Sequence, residues 1–121
     1  MKPEPAADLV AHLAELEQYA LALPGASFDL KWQQCRVVSL ENKMFALFLP
    51  DSVAYKVAAE DFLALTGLPG VRPAPYLARA RWIQVSSLQG LALPDIKAGI
   101  AESRKLVLAR LPKTLRLYYG A

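Results

Sequence analysis

Leu9, Leu13, Leu16, Ala20 and Leu23 recur at intervals of four, three, four and three, and the series stops at Pro24-Gly25. That spacing places five apolar side chains on one stripe of a helix, and such a stripe persists in water only if something covers it. The spacing predicts a helix over residues 3–22. Pro3 and Pro5 suit its first turn or the segment before it, and Asp8 suits its positive end. Gly25 permits a left-handed cap, and Pro24 cannot continue the helix.

The cover for that stripe is written in the next segment, where the period changes to two. Strands are predicted from Phe28 to Trp32, Cys35 to Leu40, Met44 to Leu49 and Ser52 to Val57. The last of these puts Val53, Tyr55 and Val57 on one face and Ser52, Ala54 and Lys56 on the other. Glu41-Asn42-Lys43 reads as a turn in which Asn42 can take a positive φ, and Pro50-Asp51 reads as another.

A short helix follows from Ala58 to Thr66, ending at Gly67, and Leu68 to Pro75 reads as a loop broken by Pro69-Gly70 and Pro73. Arg81 to Ser86 resumes a strand, with Trp82 and Gln84 on one face and Ile83 and Val85 on the other. Leu93-Pro94-Asp95 opens a long helix reaching Leu111. Its inward stripe is Ile96, Ile100, Ser103, Leu106 or Val107, and Arg110 or Leu111, and its solvated side is Lys97, Arg104 and Lys105. Pro112 ends it, and Lys113 to Ala121 forms a basic, aromatic tail.

This order predicts one α+β domain over residues 1–121: an antiparallel sheet with the N- and C-terminal helices packed on one face. Such a sheet can leave its other face in water. The composition agrees. With 55% hydrophobic and 21% charged residues the chain is not disordered, and 121 residues suffice for one core. No apolar run approaches the ~18 residues that a membrane span requires. Asp8, His12, Glu15 and Glu17 interrupt the N-terminal segment, which does not read as a signal peptide. The single cysteine, Cys35, has no internal disulfide partner, which suits a reducing, cytoplasmic setting.

The residues also limit the chemistry. A zinc site takes about four Cys, His or carboxylate ligands, and one cysteine with one histidine supplies no such cluster. His12 is expected to face water, and Cys35 to be an inert strand thiol. No glycine-rich loop precedes a helix. Asp29, Glu41 and Asp51 fall at strand ends or turns, where carboxylates are ordinarily solvated. No catalytic residue, metal ligand or cofactor is assigned, and the chain is read as a non-enzyme.

Charge is unevenly spread. Residues 1–61 carry five Lys/Arg against nine Asp/Glu, and residues 62–121 carry nine against two. An anionic partner is therefore sought in the second half. There, Arg72, Arg79 and Arg81 stand near Tyr76 and Trp82 within eleven residues. Arginine offers forked donors to phosphate, and aromatic rings offer stacking faces. The same stretch also reads as a proline-rich loop leading into a strand, with Tyr76 and Trp82 in the core.

The chain resembles the MmcQ/YjbR-like family. The matching pieces are Leu23-Pro24-Gly25, Asn42-Lys43-Met44-Phe45-Ala46, Pro69 through Tyr76 with Arg79 and Trp82, and Ser103 through Lys113. Together, in order, they span about residues 7 to 116. The resemblance implies a CyaY-like (frataxin-like) α+β fold and a DNA-binding role, and carries over no catalytic residue. A frataxin-like fold does not bring iron binding with it, since the first helix offers only Asp8, Glu15 and Glu17.

The leading expectation is a nucleic-acid-binding accessory protein of low sequence specificity, monomeric and without a membrane partner. Arg72, Arg79, Arg81, Lys113 and Arg116 would neutralise phosphates, and Tyr76 or Trp82 would stack. The alternative is a protein-interaction or small-anion-binding adaptor that uses the same surface.

Overall fold

The computed structural model describes residues 5–32 and 34–120. The predicted N-terminal helix is two helices, α1 (Pro5–Val10) and α2 (Leu13–Leu21), and Pro3 lies outside the described residues. The His12 N–H bonds the Leu9 carbonyl at 2.9 Å, a tight i−3 contact that closes α1. Nothing in the residue types marks this break, because the apolar stripe runs on through it: Leu9 and Leu16 are both fully buried.

Six strands follow: β1 (Ala26–Lys31), β2 (Cys35–Leu40), β3 (Lys43–Leu49), β4 (Ser52–Lys56), β5 (Val71–Pro73) and β6 (Trp82–Val85). They form one antiparallel sheet in the order β1-β2-β3-β4-β6-β5. The β2–β3 connection is a two-residue turn in which Glu41 (φ 50°) and Asn42 (φ 64°) are both left-handed, the twist that a tight hairpin requires. Two expectations change here. Residues 68–75 are not all loop, because Val71–Pro73 pairs with β6 as an edge strand. Pro73 is compatible with that place, since an edge position does not need its missing N–H. The strand expected to begin at Arg81 begins at Trp82, after a 3-10 turn over Ala78–Ala80 that leaves Arg81 left-handed at φ 63°.

The remaining helices are α3 (Ala59–Thr66), α4 (Leu93–Leu108) and α5 (Lys113–Tyr118). α2 and α4 lie on the same sheet face, where Leu9, Leu16, Ile96 and Ile100 meet Val38, Phe45, Tyr55 and Ile83 in one buried cluster. Gly99 lets α4 come close, because a Cβ there would sit 2.5 Å from a Tyr55 ring carbon. Ser103, fully buried in α4, joins helix to sheet. Its hydroxyl donates to the Phe45 carbonyl at 2.7 Å and accepts the Lys56 N–H at 3.0 Å. The β3–β4 pairing stops at Ala46 and Tyr55, so this hydroxyl satisfies the next two backbone groups in their place.

α4 ends at Leu108 rather than Leu111, because i−3 bonds from Arg110 and Leu111 tighten the chain and bury Leu111. Arg104, expected in solvent, is 8% exposed. Its Nε donates to the Pro24 carbonyl at 2.8 Å, at the end of the first helical layer. The expected basic tail is the helix α5, followed by Tyr119, whose hydroxyl donates to Glu41 at 2.5 Å. Tyr119 also fills the space beside Gly25, which is left-handed at φ 78° and has no room for a Cβ.

Candidate functional site

The sheet face away from α2 and α4 carries a second, smaller buried cluster of Val37, Leu47, Ala54, Ala74 and Trp82. Among the described residues no α-helix packs on it, and two clefts open beside it. The strand alternation places these side chains. Ala54 and Lys56 project away from the helices because Val53, Tyr55 and Val57 project toward them, and Trp82 does so because Ile83 faces the core.

The first cleft has a volume of about 610 Å³. It is walled by Lys31, Trp32, Lys43, Lys56, Trp82 and Arg110, with no aspartate or glutamate in its lining. Each cation arrives from a different element: Lys31 ends β1, Lys43 begins β3, Lys56 ends β4, and Arg110 follows α4. Arg110 also complements the negative end of that helix. The Lys/Arg ion pairs among the described residues are Arg36–Glu17 and Lys97–Glu15, His12 lies 4.0 Å from Glu15, and none of these contacts uses a cleft cation. Glu41, in the turn that leads into Lys43, is engaged by Tyr119 instead.

Lys56 shows the consequence of this arrangement. Its Nζ donates to the Ala80 carbonyl at 2.5 Å and has no carboxylate partner. Burial, then the neighbouring charges of Arg110 and Arg81, hold its ammonium below the ordinary lysine value. Four cations sharing one concave wall repel each other, and a bound anion would relieve that repulsion.

The second cleft, of about 630 Å³, is apolar. Leu47, Leu49, Ala54, Ala74 and Leu77 line it, with Trp32 and Tyr76 at its margins. Its polar residues are Arg72 and Gln84. Arg72 Nη2 lies 3.2 Å from Gln84 Oε1, and Gln84 Nε2 donates to Ser52 Oγ at 2.7 Å. Cys35 is half-buried at its lip, on the face opposite His12.

The residues singled out in the sequence are distributed over these features. Arg72 and Tyr76 share the apolar cleft, and Tyr76 is fully exposed. Trp82 walls the basic cleft but is 4% exposed, so its faces are covered by its own sheet and cannot stack on a ligand. Arg81 stands beside Lys56 with its guanidinium 5.5 Å from the Phe62 ring centroid. Arg79, Lys113 and Arg116 line neither cleft. Lys31, Lys43, Lys56, Arg110 and Trp32 were not singled out. Charge summed along the chain hides them, since three of these four cations lie in the acidic half. Among the described residues no group of three His, Cys, Asp or Glu side chains could hold a metal, and no helix is long and apolar enough to cross a membrane.

A family model described as YjbR matches residues 21–106. Two crystal structures are similar. One is a Deinococcus radiodurans protein with a DUF419 domain, at TM-score 0.78 and 18% identity, covering 89% of this chain and 87% of that one. The other is a Pseudomonas syringae protein, at TM-score 0.64 and 22% identity, covering 77% of this chain and 96% of that one. No curated protein matches.

Proposed function

We propose that this chain, which belongs to the YjbR family, is a non-catalytic protein that binds nucleic acid through phosphates and reads little sequence. The observation that carries this reading is the basic cleft: Lys31, Lys43, Lys56 and Arg110 line it with no acidic residue in the lining and, among the described residues, no ion-pair partner. Cations gathered in one cleft can neutralise the phosphates of a backbone, and phosphate contacts position a chain without reading its bases. Arg81, beside Lys56, extends the surface toward Arg79. Lys113 and Arg116, on α5, would contribute only at longer range.

The test is a salt titration of binding to labelled DNA. Neutralised phosphates release counterions, so the logarithm of affinity falls linearly with the logarithm of salt. Lys43→Ala with Arg110→Ala, both at exposed positions, should weaken binding to every sequence alike and lower the slope by about two contacts. Arg79→Ala with Arg81→Ala should have a smaller effect, and Lys113→Ala with Arg116→Ala the smallest. Undetectable binding at low salt would overturn the reading. Equal affinity for a free mononucleotide and an oligonucleotide would favour a small-anion adaptor.

A further inference from the structure

Phosphate binding leaves the apolar cleft unused, yet the two clefts meet at one residue. Trp32 lines both. Its backbone is left-handed at φ 48° and its side chain is 66% exposed, so core packing does not account for its position. Tyr76, across the apolar cleft, repeats the pattern with φ 66° and full exposure. Two aromatic rings held out at the margins of an apolar floor of Leu47, Ala54 and Ala74 form a slot for a flat, apolar-faced group. The Arg72–Gln84 pair gives that slot one polar edge.

We infer that the occupant is a single strand, with its phosphates along the basic cleft and one unstacked base passing Trp32 into the apolar cleft. This rests on the nucleic-acid reading and narrows it. A partner that fills both clefts must carry negative charge next to a flat, apolar-faced group, as each nucleotide of a single strand does. A duplex offers the charge but keeps its bases stacked inside. The charge distribution agrees, because the unpaired cations gather on one side of Trp32 and the apolar lining on the other.

The experiment compares a labelled strand of about ten nucleotides with an abasic strand of equal length and charge, within the usual site size of such proteins. Stacking of one base on an aromatic side chain predicts at least about fivefold tighter binding of the base-bearing strand. Trp32→Ala should bring that ratio toward one, with a parallel loss of tryptophan fluorescence quenching. Tyr76→Ala, at a fully exposed position, gives a second measurement should the first variant misfold. Equal binding of the two strands by the unmodified chain, or a ratio that survives both substitutions, overturns the inference. In either case, salt-dependent binding of the abasic strand would leave the phosphate reading standing, and no binding of any strand would remove both.

Discussion

The two faces of the sheet are built to different ends. On the helix-covered face the side chains of Leu9, Leu16, Ile96 and Ile100 reach zero exposure, and Ser103 satisfies two backbone groups that the strands leave over. On the open face the buried cluster around Trp82 is small, Trp32 and Tyr76 stand in water, and cations crowd one end with no ion-pair partner among the described residues. Stability comes chiefly from the first face. The second keeps exposed apolar area and charge repulsion that folding alone would remove, and residues kept that way are candidates for binding.

The comparison breaks most clearly in core truncations. Ile100→Ala should cost about 3 kcal/mol, the usual loss of transfer energy plus a cavity in a closed core. Leu47→Ala on the open face should cost about half as much, because water already reaches the adjoining cleft and little new cavity forms. Urea denaturation of both variants checks this, and equal losses would mean that the open face is as tightly packed as the covered one.

Ser103→Ala comes next. It leaves the Phe45 carbonyl and the Lys56 N–H without their partner, at a cost of about 2 kcal/mol. The same substitution should loosen the end of β4 that holds Lys56. Amide hydrogen exchange at Lys56 should quicken more than at Val53, and unchanged protection would separate the two faces completely.

A smaller effect is the titration of Lys56. Its folded pKa lies below the unfolded value, so below that folded pKa the ammonium is charged in both states and the cost of burial and repulsion is fully present. That cost is relieved as pH rises through the folded pKa toward the ordinary lysine value, so this group's contribution to stability grows with pH in that alkaline window. Nitrogen-detected NMR should find Lys56 titrating below the ordinary lysine value. A phosphate-bearing ligand should raise it again, with proton uptake on binding. A Lys56 that titrates at or above the ordinary lysine value would remove the electrostatic argument for the cleft. Trp32→Ala should have the smallest effect, within about 0.5 kcal/mol of the parent, since an exposed side chain contributes little to folding. A larger loss would make Trp32 a structural residue and weaken the case for it as a stacking platform.

Much of the fold was legible without coordinates. The 4-3-4-3 spacing ending at Pro24-Gly25, the alternation in Ser52 to Lys56 and the Ile96/Ile100 stripe each depend on neighbours in sequence, and local periodicity reports them directly. The family resemblance was legible for the same reason, as an ordered set of short local pieces. Less could be read where a distant residue decides a local outcome. β5 is a strand only because β6 lies alongside it, and Arg104 is buried only because Pro24 needs a donor.

The basic cleft belongs to this second kind, although Arg72, Tyr76 and Trp82, which line the two clefts, were legible in the sequence. The halves of the chain, five cations against nine acids and then nine against two, directed attention to residues 62–121. Yet Lys31, Lys43 and Lys56 come from the acidic half, and only Arg110 of the cleft cations comes from the basic one. Net charge along a chain averages over side chains that folding sends to opposite faces. Here Glu15 and Glu17 go to the helical side, where they pair with Lys97 and Arg36. The lysines go to the open end of the sheet. Composition and periodicity determined which faces exist. Only the antiparallel register, which brings strand ends far apart in sequence to one edge, decided which charges meet there.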